Sequence, residues 1–280
     1  MSELIDAISK TREITAEIFT KSLVDIDGNS EAKVKDKIRS EIKANIEILV
    51  DGWYNPPAHG IAVLFADTPF ERLKYDSLRN PVYWSSQNFT FDKETVALIF
   101  FSPVHRKTKM IGDIGFTLYK GDNEKIRDHI RKSYNVILEI AKYAKVGMKF
   151  SELCTFASKL FYGKFKPTKW VTISSDPSQS INLGHTVPGS LGKNITFGNS
   201  FEEIKENIRT GRVHIINTEN FEIPATCAFT VESRLEDLNN PDMPSVYFHF
   251  IVCFDEGKKT ILENFNKIFN VVGMDYMNSK

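Results

Sequence analysis

LIFFSPVHRKTKMIGDIGFTLYKGD, residues 98–122, is the stretch on which the fold turns. Together with Val96 and Ala97 it opens on a run of apolar and aromatic residues that fits a buried strand. A basic turn, His105–Lys109, follows, and Met110–Tyr119 resumes the apolar pattern. The spacing predicts a hairpin, strand 96–104 and strand 110–119, with Asp113 mid-hairpin between apolar neighbours. A carboxylate there is costly to bury unless it is paired or bound to a metal. The basic turn itself reads as a solvated tip.

Working outward, residues 3–22 and 31–50 place apolar side chains at helical spacing, with Ile38, Ile42, Ile46 and Leu49 in the second. Asp27-Gly28-Asn29-Ser30 joins them, and Ser30 is placed to cap the second helix. Residues 52–92 are rich in Pro, Asn, Ser and aromatics and read as short strands and loops. The aromatics Trp53, Tyr54, Phe70, Tyr75, Tyr83 and Trp84 could line a pocket or simply pack. Helices are predicted over 122–146 and 151–162. Strands follow at 170–174, 181–185, 214–217, 225–235 and 246–254, with short helices near 201–207 and 260–269. Helices early and long antiparallel-type strands late imply an α+β fold with helices packed on one face of a sheet.

The composition sets bounds. A chain of 280 residues with 41% hydrophobic content can bury a large core. Lys+Arg and Asp+Glu are equal at 36 each, which gives no reason to expect nucleic acid or an anionic membrane as partner. The three cysteines, Cys154, Cys227 and Cys253, are widely spaced and read as buried small hydrophobes of a reducing compartment. The first residues lack the basic start and apolar run of a signal peptide. No stretch approaches the roughly 18 apolar residues that span a bilayer. The expectation is a single cytoplasmic domain over residues 1–280.

Three ionisable residues stand in segments that otherwise favour burial: Asp113 in GDIGFT, His185 in NLGHTVPG and Glu232 in CAFTVES. One Asp, one His and one Glu from three strands suit Fe(II), Mn(II), Co(II) or Zn(II). Each also has a structural alternative. Asp113 could cap a turn, His185 could be a satisfied core histidine, and Glu232 could pair with Arg234 or a lysine. The residues leave both readings open.

The order of motifs resembles the pita-bread metallopeptidase family, which includes methionine aminopeptidase, prolidase, aminopeptidase P and creatinase. The resemblance runs over roughly residues 5–265. It rests on the hairpin 98–122, VGMKFSELCTFA (146–157), LGHTVPG (183–189), FTVESRL (229–235) and VYFHFIVCFDEGKKTIL (246–262). It implies the pita-bread fold, a curved antiparallel sheet with helices on one face. It also implies that Asp113, His185 and Glu232 stand at metal-ligand positions. The family's first Asp falls on Phe100. Its last Glu falls on Phe248, or on His249 if the register is shifted by one, a choice that period-2 alternation makes meaningful. A two-metal site is thereby cut to one divalent ion, held by Asp113, His185, Glu232 and, in the shifted register, His249. In this resemblance the family's upstream histidine falls on Tyr54 in WYNPP (53–57), with His59 close by; either is a candidate proton donor, and Trp53, Phe100 and Phe248 are expected to wall the pocket.

Three functions follow from the resemblance. The first is a mononuclear metalloenzyme acting on a small amino-acid-like metabolite, with creatinase as the example of non-peptidase chemistry on this fold. The second is a non-catalytic relative that binds a peptide or protein. The third is an Xaa-Pro or methionine aminopeptidase. A homodimer is common among such proteins.

Overall fold

The computed structural model describes residues 3–167, 181–191 and 197–278. Two helices lead: α1 (Glu3–Ser22) and α2 (Glu31–Ala44). The hydroxyl of Ser30 accepts from Lys33 N and caps α2, and Val34, Ile38 and Ile42 form its buried stripe. The helix stops at Ala44, short of the predicted 50. Asn45 is extended and its side chain accepts from Glu47 N, so a local turn competes with the next helical bond. Ile46, assigned to the helical stripe, is 83% exposed.

The sheet is built from β1 (Ile61–Ala66), β2 (Val96–Phe101), β3 (Ile114–Leu118), β4 (Phe165–Pro167), β7 (Cys227–Asp237), β8 (Val246–Asp255) and β9 (Lys258–Leu262). Its order is β1-β2-β3-β8-β7-β4, with β9 on β8, and every ladder is antiparallel. A separate two-stranded ribbon joins β5 (Asn182–His185) to β6 (His214–Ile216). The helices α3 (Glu124–Tyr143), α4 (Phe150–Phe161), α5 (Phe201–Thr210) and α6 (Asn266–Val272) complete the chain.

The hairpin of 98–122 forms as β2 and β3, in register Phe100↔Gly115. Its second strand begins at Ile114, with only a single bridge, Val104↔Ile111, before it. The basic turn is docked rather than free, because Arg106 donates to the carbonyls of Ile46 and Ile48. The helix predicted over 260–269 is corrected to a strand and a later helix: β9 follows a turn at Gly257 and α6 starts at Asn266. The predicted strand at 170–174 lies outside the described residues.

Alternation along the strands sorts the sheet into two faces. One face is apolar and meets the helices: Phe116 packs on Phe19 of α1, Phe248 on Tyr134 of α3 and Phe269 of α6, and Phe229 on Phe150 of α4. The other face carries Phe100, Asp113, Gly115, Thr230, Glu232, Tyr247 and His249. Only glycine serves at 115, since a Cβ there would collide with Tyr247 and crowd Phe100. That close approach seats the Tyr247 ring beside β3 and delivers its hydroxyl to Glu232.

Candidate functional site

Strand pairing places Glu232 directly opposite His249, and β3 hydrogen-bonds to the other side of β8. Asp113 precedes β3 on the same face. The β5–β6 ribbon brings in His185, whose backbone N donates to Thr230 Oγ1 at 2.9 Å. Gly184, at φ 128, makes this crossing possible, because a side chain there would strike Thr230. Asp113, His185, Glu232 and His249 therefore line one cavity of about 30 Å³, with Trp53, Tyr54, Phe100 and Arg212 among its other walls. That space suits an ion, a water or two, or the head of a ligand.

Protein partners engage these polar groups. Trp53 Nε1 donates to both oxygens of Asp113, at 2.8 and 3.1 Å. Tyr247 donates its hydroxyl to Glu232 Oε2 at 2.5 Å, and Thr230 reaches Oε1 at 3.4 Å. His185 Nδ1 lies 3.0 Å from the Thr186 carbonyl, which can only accept, so Nδ1 carries the proton. His249 Nε2 lies 3.7 Å from Glu232 Oε2, while its Nδ1 lies 3.4 Å from an Arg12 nitrogen. Arg12 itself is wholly buried and donates to the carbonyls of Asp113, His249 and Glu263, tying α1 to the sheet. Arg212, from the turn after α5, lays its guanidinium over the Trp53 ring, 4.6 Å from the centroid.

Burial sets the protonation states. Desolvation pushes Asp113 up to about 8, against the hydrogen bond from Trp53. It pushes Glu232 up to about 7, opposed by the Tyr247 hydrogen bond and the charge of Arg212. Desolvation, assisted by the charges of Arg212 and Arg12 respectively, holds His185 and His249 well below the usual histidine value. Burial also lowers Arg212 to about 10, less than it would without the two acids nearby. At neutral pH the histidines are uncharged bases, and the two acids titrate close to neutrality.

Of the residues expected at the site, Asp113, His185, Glu232, His249, Trp53, Tyr54 and Phe100 meet at the cavity. Phe248 does not. It belongs to the opposite face of β8, fully buried among Tyr134, Phe265 and Phe269, so the preferred register is corrected by one residue and His249 takes the wall position. His59 is not a wall residue either: its Nδ1 pairs with Asp51 at 2.6 Å, in the loop before β1. Sequence reading missed Arg12, Tyr247 and Arg212. Arg12 had a signal, since it sits in phase with the buried stripe Ile8, Thr15 and Phe19 of α1. Tyr247 had one too, lying two residues from His249 on the same strand. Arg212 follows a helix in an irregular segment, where no period marks direction.

The single divalent ion expected from the resemblance fits this arrangement poorly. Among the described residues no three His, Cys, Asp or Glu side chains stand close enough to hold one metal. The four candidates share a cavity, but Asp113 takes Trp53, Glu232 takes Tyr247 and His249 Nδ1 faces Arg12; His185 gives only its Nδ1 to Thr186 and keeps Nε2 available, and a guanidinium stands at the wall.

No protein-family model matches the sequence, and no curated protein sequence matches it. Solved structures do resemble it. A variant of Escherichia coli aminopeptidase P in complex with substrate matches with a TM-score of 0.63 at 12% identity, covering 100% of this chain and 60% of that one. X-Pro aminopeptidase from Thermotoga maritima matches at 0.59 and 15% identity, covering 94% and 61%. Prolidase from Pyrococcus furiosus matches at 0.58 and 18% identity, covering 94% and 64%. The chain thus has the pita-bread fold that prolidases and aminopeptidase P share, over about three fifths of the length of those proteins. Among the described residues no helix is long and apolar enough to cross a membrane.

Proposed function

We propose that this chain is a non-catalytic relative of the pita-bread metallopeptidases, a single domain that uses the inherited cleft to bind a ligand without a resident divalent metal. One observation carries the reading: Asp113 and Glu232 are bonded to Trp53 and Tyr247, and among the described residues no three of the candidate ligands converge on a common point. Peptide hydrolysis on this fold needs a metal-bound hydroxide and a shuttle for its proton. Here the cavity accepts no more than an ion or a ligand's head, and His59 is committed to Asp51.

The test is metal content. The purified chain, stripped with chelator, equilibrated with Mn(II), Fe(II), Co(II) or Zn(II) and desalted, is expected to retain far less than one equivalent. Its melting temperature is expected to be unmoved by any of the four, since a ligand that binds only the folded state must raise it. One retained equivalent with a raised melting temperature would overturn the reading. That result would favour a single-metal enzyme acting on a small amino-acid-like metabolite, with Tyr54 as proton donor. The observation on that side is that four potential ligands do line one ion-sized cavity. Turnover of Xaa-Pro or Met-initiated peptides would restore the peptidase reading instead.

A further inference from the structure

A buried polar group must find a partner, so the groups left without one describe the ligand. Around the cavity each acid is held by a protein donor and keeps acceptor capacity to spare, and both face the charge of Arg212. Asp113 takes the Trp53 N–H on both oxygens, and Glu232 takes Tyr247 on one oxygen and Thr230 on the other. His249 lies between Arg12 and Glu232. Donors without a partner stand at the wall as well. Arg212 spends only Nε, on the carbonyl of Arg209 at 3.2 Å, and its two terminal nitrogens make no hydrogen bond among the described residues. Its guanidinium is nevertheless a wall of the cavity, held flat by the Trp53 ring. Tyr54, another wall, buries its hydroxyl beside Ser77 and Arg79, without a hydrogen bond of good geometry to either. Arg79 lies over the Tyr54 ring, 4.4 Å from the centroid, so two guanidiniums stack on adjacent aromatic walls. Nε2 of His185 is a further acceptor and suits a water brought in with the ligand.

We propose that this cavity takes a small oxyanion, the carboxylate head of a ligand, between Arg212 and Tyr54, in place of a divalent cation. A guanidinium whose two terminal nitrogens are free matches a carboxylate's two oxygens, and stacking on an aromatic pre-orients it. The volume of about 30 Å³ admits the head and leaves the rest of the ligand outside. The inference rests on the metal-independent reading of the same site and names the chemistry of what that site binds.

The test uses the full chain titrated with sodium formate and sodium acetate at fixed ionic strength, against sodium chloride. Tryptophan emission, to which Trp53 contributes beside Trp84 and Trp170, and the melting temperature report on binding. Formate is expected to give a saturable emission change and a raised melting temperature that chloride does not. Arg212→Met is expected to weaken the apparent affinity by about tenfold or more, a charge-assisted bond being lost, with Arg212→Lys recovering part. Tyr54→Phe is expected to weaken it by a few fold, and it serves as the readout if Arg212→Met fails to fold by circular dichroism. A formate response no greater than that of chloride overturns the proposal, as does equal affinity in the substituted chains. If one equivalent of metal is retained in the stripped-and-loaded chain, the metal-independent reading fails by a different measurement. If neither metal nor formate binds, only the anion assignment falls.

Discussion

Phe248 and His249 are neighbours on β8 and live in different environments. Phe248 meets Tyr134, Phe265 and Phe269 at ring-centroid distances of 5.1, 5.8 and 6.2 Å, a layer of edge-to-face aromatics between sheet and helices. His249 meets Arg12, Glu232, Tyr247 and Phe100, on the side where the sheet holds its charges. On the helix face, stability comes from apolar area and close packing, which are indifferent to pH. On the cavity face, ionisable groups are kept from water and held by individual hydrogen bonds, so protonation becomes a variable of stability. The fold is secured by one face, which lets the other carry polar groups that would not hold a domain together.

The comparison is broken most directly on the helix face. Phe248→Ala is expected to cost about 3–5 kcal/mol in denaturant or thermal unfolding, through lost contacts and the cavity left behind. A cost under about 1 kcal/mol would mean that the aromatic layer is not the anchor.

The cavity face is probed by pH. Asp113 and Glu232 have folded pKa values raised above their unfolded ones, to about 8 and about 7, so their stabilising contribution is whole at low pH and drains away as pH rises through those values. His185 and His249 are depressed, so their contribution is present above the ordinary histidine value near 6.5 and is lost as pH falls below it. Between about pH 4 and 6.5 the two pairs oppose each other. From 6.5 to 8 the acids act alone, and unfolding free energy is expected to fall by about 2 kcal/mol. Asp113→Asn, which keeps an acceptor for Trp53, is expected to flatten most of that slope. A flat wild-type profile over this interval would contradict the desolvated acids.

The smallest effect lies off both faces. His59→Ala removes a partly exposed pair with Asp51 and is expected to change stability by less than about 1 kcal/mol, leaving formate binding unaltered. A marked loss of ligand binding would return His59 to the site.

Much of this was legible in the residues, for reasons that differ by element. The helices α1, α2 and α3 follow from period 3.6 with polar starts, and β7 and β8 from long apolar runs. The end of α2 was misjudged because Ile46 and Leu49 keep the helical phase while Asn45 turns the backbone away. The segment over 260–269 was misjudged because a short apolar run has no period of its own, and pairing with β8 decided it as strand. At the site, three of the four candidate metal ligands stood out as ionisable groups in apolar segments. The fourth, His249, depended on a one-residue register that only the pairing Glu232↔His249 fixes.

What the sequence determined by itself is the local and the periodic: which segments bury a face, where helices are capped, and that Asp113, His185 and Glu232 are charges where charge is expensive. What only the tertiary structure decided is which groups meet. Arg212 reaches the cavity from a turn, and Arg12, whose helical phase marks it only as buried, reaches the carbonyl of Asp113 across 101 residues; no pattern along the chain names either partner. Hydrogen bonds and desolvation depend on distance in space, and the partners that hold Asp113, Glu232 and His249 come together only when the strands are paired.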